Sequence, residues 1–233
     1  ELGEIFETAW NSGGNILIPA FAVGRSQELL YWFAKHWDDW GLAKWKIFLD
    51  SPMASKVVEV YARHEQLFDA EANALFHQKP HPFHLPNLNY TADVEQSKAI
   101  NEHKGGCIII AGSGMCNGGR IRHHLERNLG NPKNHLLFVG YQAVGTLGRL
   151  LVDGVSEIKL FGELIKVKAQ RHTIGGLSAH TDQAGLIAWY GSFEHHPRLG
   201  LVHGEDDARK ALALALKTRF DIDAYIPKYG ETF

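Results

Sequence analysis

Short uninterrupted apolar runs, each closed by glycine, proline or aspartate and followed by apolar positions three and four apart, recur through most of the chain. Runs of that kind predict strands buried on both faces, and the wider spacing predicts amphipathic helices. Strands are expected over residues 15–18, 46–49, 107–111 and 135–139. Helices are expected over 2–10, from Ser26 through Leu29, Leu30, Phe33 and Trp37, around Val57, Val58, Val60 and Tyr61, and over 65–78, 120–128 and 147–152. A proline-broken loop covers 77–90, and its His77, His81 and His84 lack ligand spacing and are expected to be solvated. Strand, loop and helix in repeated order predict the α/β class, with a Rossmann-like parallel sheet flanked by helices.

The pattern changes near Asp153-Gly154. Residues 157–161 and 164–169 alternate Ile, Leu and Val with Lys, Glu and Gln around Phe161-Gly162-Glu163, which predicts an antiparallel hairpin. Beyond it, a helix over 183–190 has Thr181 or Asp182 as its cap, an Ala/Leu-rich helix covers 206–217, and a last strand covers 222–226. Leu201-Val202 is a short apolar run broken by Gly204, so His203 is expected at the C-terminal mouth of a strand, where open α/β sheets hold ligands. His180 is expected at a helix N-terminus. Histidines in such places can act as metal ligand and proton donor, but among 14 histidines the competing reading is a surface ring that merely titrates.

Other candidate chemistry lies where expected strands end. Arg25, at a loop–helix junction, suits either a phosphate contact or a structural arginine. Asp50-Ser51-Pro52 reads first as a turn and cap, and second as support for a neighbouring site. Gly112-Ser113-Gly114 and Gly118-Gly119 precede Arg120, Arg122, His123, His124 and Arg127. A glycine turn between strand and helix can present amides to an anion. Asn117 stands where the third glycine of a dinucleotide fingerprint belongs, so nucleic-acid phosphates suit the loop better, with a solvated basic helix face as the alternative.

Composition adds limits. A net charge of -2 over 233 residues carries no global basic signature, so any nucleic-acid contact must come from local clusters. Cys107 and Cys116 are too few and too isolated for a disulfide framework or a structural zinc site. No apolar run approaches the ~18 residues of a membrane helix, and no leader pattern is present, so a cytoplasmic protein is expected.

Five stretches together resemble the β-CASP branch of the metallo-β-lactamase superfamily: Gly13-Gly14 through Arg25-Ser26, Asp50-Ser51-Pro52-Met53-Ala54, Ala111 through Arg120, Ser178-Ala179-His180-Thr181-Asp182, and Leu201-Val202-His203-Gly204-Glu205. The resemblance implies a β-CASP domain over 1–152 and, over 153–233, the C-terminal portion of a metallo-β-lactamase αββα sandwich. It implies a ribonuclease that uses two zinc ions, with His203 as metal ligand, His180 as proton donor, and RNA phosphates held by Ser178, Arg25, Ser113, Gly114, Gly118, Gly119 and Arg120. Asp50 and Ser51 would support that site. Histidine at the position of His203 accompanies RNA-acting members, which makes RNA the expected partner, with homo-oligomer formation left open. The His-x-His-x-Asp-His motif of the family is absent and the chain begins at Glu1, so a piece of a longer enzyme is expected, inactive by itself and holding zinc weakly or not at all. A non-catalytic RNA-binding scaffold of the same family is the rival reading, opposed by the presence of both histidines. A nucleotide-binding oxidoreductase rests only on the glycine loop and the Rossmann-like order.

Overall fold

Six parallel strands organise the first of two compact units, residues 1–178 and 179–233. The computed structural model describes residues 1–178 and 180–231. In chain order the first unit runs α1 (Leu2–Ser12), β1 (Ile16–Pro19), α2 (Arg25–Lys35), β2 (Lys46–Asp50), α3 (Pro52–Arg63), α4 (Ala70–Phe76), β3 (Leu88–Tyr90), α5 (Val94–Ala99), β4 (Cys107–Ala111), α6 (Ile121–Asn128), β5 (His135–Phe138), α7 (Leu147–Val152), β6 (Glu157–Leu160), β7 (Glu163–Lys166) and β8 (Gln170–Thr173). Spatial order in the sheet is β3-β2-β4-β1-β5-β8, and β6 and β7 form the expected antiparallel hairpin.

Alternate residues of the central strands feed different layers. Ile16, Ile18, Ile47, Leu49, Ile108, Ile110 and Leu137 pack with Phe6, Leu29, Leu30, Phe33 and Val58 of α1, α2 and α3. Leu17, Leu136 and Phe138 face the other way, onto Ile121 and Leu125 of α6, Leu151 of α7 and Ile158 of the hairpin. Both faces are covered, which is why these strands are continuous apolar runs. Each buried Leu or Ile adds about 1.5–3 kcal/mol from its removal from water.

Several expectations are corrected. The segment expected as one helix over 65–78 breaks at Asp69, whose extended backbone and carboxylate cap α4 through a 2.8 Å bond from the Ala72 amide. His81 is half-buried and packs edge-on against Phe76 at 5.0 Å, so it is a packing residue and not a solvated one. Strands β3 and β8 and helix α5 were not foreseen. β3 and β8 lie at the two sheet edges and are short and largely polar, Leu-Asn-Tyr and Gln-Arg-His-Thr, so no apolar run betrays them. β8 lies beyond Asp153-Gly154 yet continues the sheet, pairing with β5 from His135–Gln170 to Phe138–Thr173.

Residues 201–202 and 222–226 do not form strands. Their pairing shrinks to one parallel bridge, Gly200 with Tyr225, and Val202 is 68% exposed. A strand needs a bonded neighbour along its length, and among the described residues this segment has only that contact. The second unit is otherwise two helices, α8 (Gln183–Gly191) and α9 (Asp206–Phe220), packed through Tyr190 and Phe220 with ring centroids 5.6 Å apart.

Two polar clusters sit inside the first unit. At the N-terminal edge of the sheet, Asn15, Asn128 and Asn134 are buried and bonded to one another, joining the starts of β1 and β5 to the end of α6. His135 and His172 join β5 to β8 through a 2.9 Å Nδ1–Nε2 contact. Burial, and then the neighbouring His172, lower the His135 pKa to about 4. An unfolded histidine titrates near ~6.5, so between that pH and about 4 the unfolded chain takes up a proton that the folded chain refuses. Stability is therefore full above pH ~6.5 and falls as pH drops towards 4. Urea unfolding at pH 7 and pH 5 should differ by about 1–2 kcal/mol from this residue, and His135→Phe should remove that part of the difference.

Candidate functional site

Parallel strands point their C-terminal ends to one edge, so the loops after β1, β2, β4 and β8 open there together. Arg25, Asp50, Ser51, the 112–120 loop and Ser178 all lie in those loops or at their ends. β1 connects onward towards one side of the sheet and β4 towards the other, and the loops after these two neighbours touch. The Ala20 amide donates to the Ala111 carbonyl at 3.0 Å, and a Cβ on Gly114 would stand 2.7 Å from Phe21 Cδ2. Only glycine at 114 lets the Phe21 ring lie against this loop.

The 112–119 loop is closed on itself. Ser113 N donates to Gly118 O at 3.0 Å, Gly118 N to Ser113 Oγ at 3.2 Å, and Cys116 N to Ser113 O at 3.1 Å. Three of the amides expected to cradle a phosphate are thus turned into the loop. Gly119 has φ +74°, and a Cβ there would lie 2.3 Å from the Gly112 carbonyl oxygen. Gly119→Ala should cost at least about 2 kcal/mol from left-handed backbone and clash together, read as a lowered melting temperature. Gln142, to which the sequence assigns no role, is buried and donates to Gly114 O at 3.0 Å and Gly140 O at 3.1 Å, fixing the loop from the β5 side.

Asp50 is not a turn cap. Ser51 caps α3 by accepting from the Ala54 amide at 3.2 Å, while the Asp50 carboxylate is fully buried. It accepts from Ser97 Oγ at 2.6 Å, pairs with His124 Nε2 at 2.6 Å and Arg120 Nη1 at 2.6 Å, and binds Thr91 Oγ1. Burial alone would raise its pKa, but the bonds from His124, Ser97, Thr91 and Arg120 outweigh it and hold the carboxyl well below the usual carboxylate range. Arg120, expected to meet a phosphate directly, is thus anchored through one nitrogen, with its side chain 21% exposed. His124, expected among the basic residues near nucleic-acid phosphates or else on a solvated face, is 1% exposed and takes neither place. The signal that places it was present: Ile121, His124, Leu125 and Asn128 form one helical stripe, and all four are buried. Arg25 is likewise held, by Glu28 at 2.5 Å.

In the second unit, His180 and His203 are both exposed. His180 lies just before Asp182, whose carboxylate caps α8 through the Gly185 amide at 2.8 Å. His203 lies just before Glu205, the residue that precedes α9, and has φ +69°, ahead of Gly204 at +97°. A non-glycine residue there costs of order 1–3 kcal/mol, and such costs cluster at functional positions. The C-terminal ends of α8 and α9 meet, with a Cβ on Gly191 falling 2.8 Å from Phe220. Both helices therefore begin away from that contact, each with a histidine shortly before it. No group of three or more His, Cys, Asp or Glu close enough to hold a metal ion occurs among the described residues.

A covered parallel sheet with its loops gathered at one edge defines a Rossmann-like α/β domain. A family model described as the Beta-Casp domain matches residues 26–151, and one described as the Zn-dependent metallo-hydrolase RNA specificity domain matches 164–227. The chain belongs to the β-CASP family of the metallo-β-lactamase superfamily. It is 40% identical over 231 residues to a protein of Thermus thermophilus named Ribonuclease TTHA0252, covering 99% of this chain and 52% of that protein. It is 32% identical over 235 residues to the Transcription termination factor FttA of Pyrococcus horikoshii, covering 98% of this chain and 36% of the relative. The FttA of Methanocaldococcus jannaschii is 30% identical over 233 residues, covering 97% and 37%. The chain thus spans about half the length of the first relative, at 52%, and little more than a third of the FttA proteins, at 36% and 37%. No helix among the described residues is long and apolar enough to cross a membrane.

Proposed function

We propose that the intact protein is a zinc-dependent ribonuclease that hydrolyses RNA phosphodiesters in RNA processing or decay. The observation that carries this reading is His203: an exposed imidazole on left-handed backbone, inside the segment matched by the Zn-dependent metallo-hydrolase RNA specificity domain. His203 would be the metal ligand and His180 the proton donor to the leaving oxygen. Ser178, Gly114, Gly119 and the solvent-facing part of Arg120 would meet the phosphates, Arg25 would do so only on leaving Glu28, and Asp50 and Ser51 would hold their surroundings. The boundary proposed between the two domains remains at 152–153.

The donors on this chain do not fit a complete zinc site. Zinc takes three or four protein ligands, whereas two exposed histidines are at hand and the described residues hold no larger cluster. The remaining ligands would have to lie outside these 233 residues, and the chain by itself is expected to bind zinc weakly and to leave RNA uncut. A zinc-loaded intact protein given labelled RNA and DNA of one sequence should cleave the RNA, stop when metal is chelated, and leave the DNA whole. Cleavage unaffected by chelation would overturn the reading. The scaffold alternative predicts RNA retention with no cleavage in the same assay.

A further inference from the structure

We infer that the edge of the sheet opposite the candidate catalytic loops carries a second site, a pocket for a single nucleotide. A cavity of ≈ 270 Å³ opens between the segments that precede β1, β4 and β5 and the end of α6, and asparagines make half of its ten-residue lining. Its floor is the buried network already described, in which Asn15 Nδ2 meets Asn128 Oδ1 at 3.3 Å and Asn15 Oδ1 accepts from the Cys107 amide at 3.1 Å. Those amides are held in place before any ligand arrives, which removes much of the ordering cost of binding.

Charge at the mouth is one-sided. Lys104 and Arg127 line the pocket, both are exposed, and no carboxylate is among the lining residues. No ion pair of either cation occurs among the described residues, whereas Arg25, Lys35, Arg120 and Arg149 are each held by an acid. Arg127 near the end of α6 would suit the helix dipole by itself, but that leaves Lys104 and the cavity between them without a purpose. His103 supplies an aromatic wall. Its ring lies against Phe48 with centroids 5.7 Å apart, and its Nδ1 is 3.5 Å from Lys46 Nζ, a third cation beside the opening. Two unneutralised cations attract a phosphate. A ring offers a face for a base, and the exposed carboxamide of Asn101 offers both a donor and an acceptor to a base edge. The ligand class this chemistry selects is a phosphorylated nucleoside.

The inference does not depend on the ribonuclease reading, because none of these residues lies in the loops assigned to catalysis. It is tested by calorimetric titration of the intact protein with AMP, inorganic phosphate and adenosine, in the wild type and in a Lys104→Ala/Arg127→Ala variant. Both substituted side chains are exposed, so the fold should tolerate the change, and an unchanged melting temperature checks that it does. AMP should bind more tightly than phosphate or adenosine, the double substitution should weaken it at least about tenfold, and the rate of RNA cleavage should stay the same. Absence of AMP binding, or binding untouched by the double substitution, would overturn the site. Phosphate binding as tightly as AMP would overturn the assignment to a nucleotide.

Discussion

Asp50→Ala should cost the folded chain about 3–5 kcal/mol, the usual loss when one partner of a buried ion pair is removed. That is a large part of the 5–15 kcal/mol by which domains of about this size are typically stable. The carboxylate has no exposed surface and accepts from Ser97, Thr91, His124 and Arg120 together. Its removal leaves the buried His124 imidazole without its acceptor and leaves Arg120 only Thr91 Oγ1 at 3.3 Å and solvent. Arg120→Ala should be milder, about 1–2 kcal/mol, because the remaining three donors still satisfy Asp50 and the arginine already reaches solvent. Because the Asp50 carboxyl is held below its ordinary range, its contribution is present above pH ~4 and disappears only under strongly acidic conditions. Urea midpoints at constant slope measure all of this. A loss of about 1 kcal/mol or less for Asp50→Ala would mean that the network is ornamental.

On the roles proposed for them, His180→Ala and His203→Ala should fail differently in the intact protein. A proton donor contributes about 10²–10⁴-fold to rate, so His180→Ala should lower kcat by that much while zinc content stays normal. Loss of His203 should lower zinc content as well, because a ligand set reduced by one holds the metal less tightly. Single-turnover cleavage and metal analysis on the same samples separate the two roles. Equal zinc in both variants would reverse the assignment of His203.

The central sheet was legible because burial on both faces writes itself as apolar runs: Cys107–Ala111 is a strand over the range expected, and helix Leu147–Val152 likewise. The polar edge strands were illegible for the same reason, since Gln170–Thr173 gains its place from pairing with β5 and not from hydrophobicity. The family motifs drew attention to Asp50 and Arg120 as separate residues. Their partnership depends on Thr91, Ser97 and His124, which are distant in sequence and converge only once the sheet has formed. The glycine loop was visible as a turn, but its amides are turned inward by Ser113 Oγ and by the Ser113 and Gly118 carbonyls, while Gln142 holds the Gly114 carbonyl, and no spacing rule supplies the aim of those groups. The polar pocket at the opposite edge left no trace as a motif, because Asn15, Lys104 and Arg127 belong to three different segments.

Zinc bound per molecule, measured on the intact protein and on His203→Ala after exhaustive dialysis, bears most directly on the proposal that this chain supplies part of a metallonuclease centre. The account predicts two ions in the wild type and a clear deficit in the variant, accompanied by loss of RNA cleavage. Undiminished zinc and undiminished cleavage in His203→Ala would contradict it.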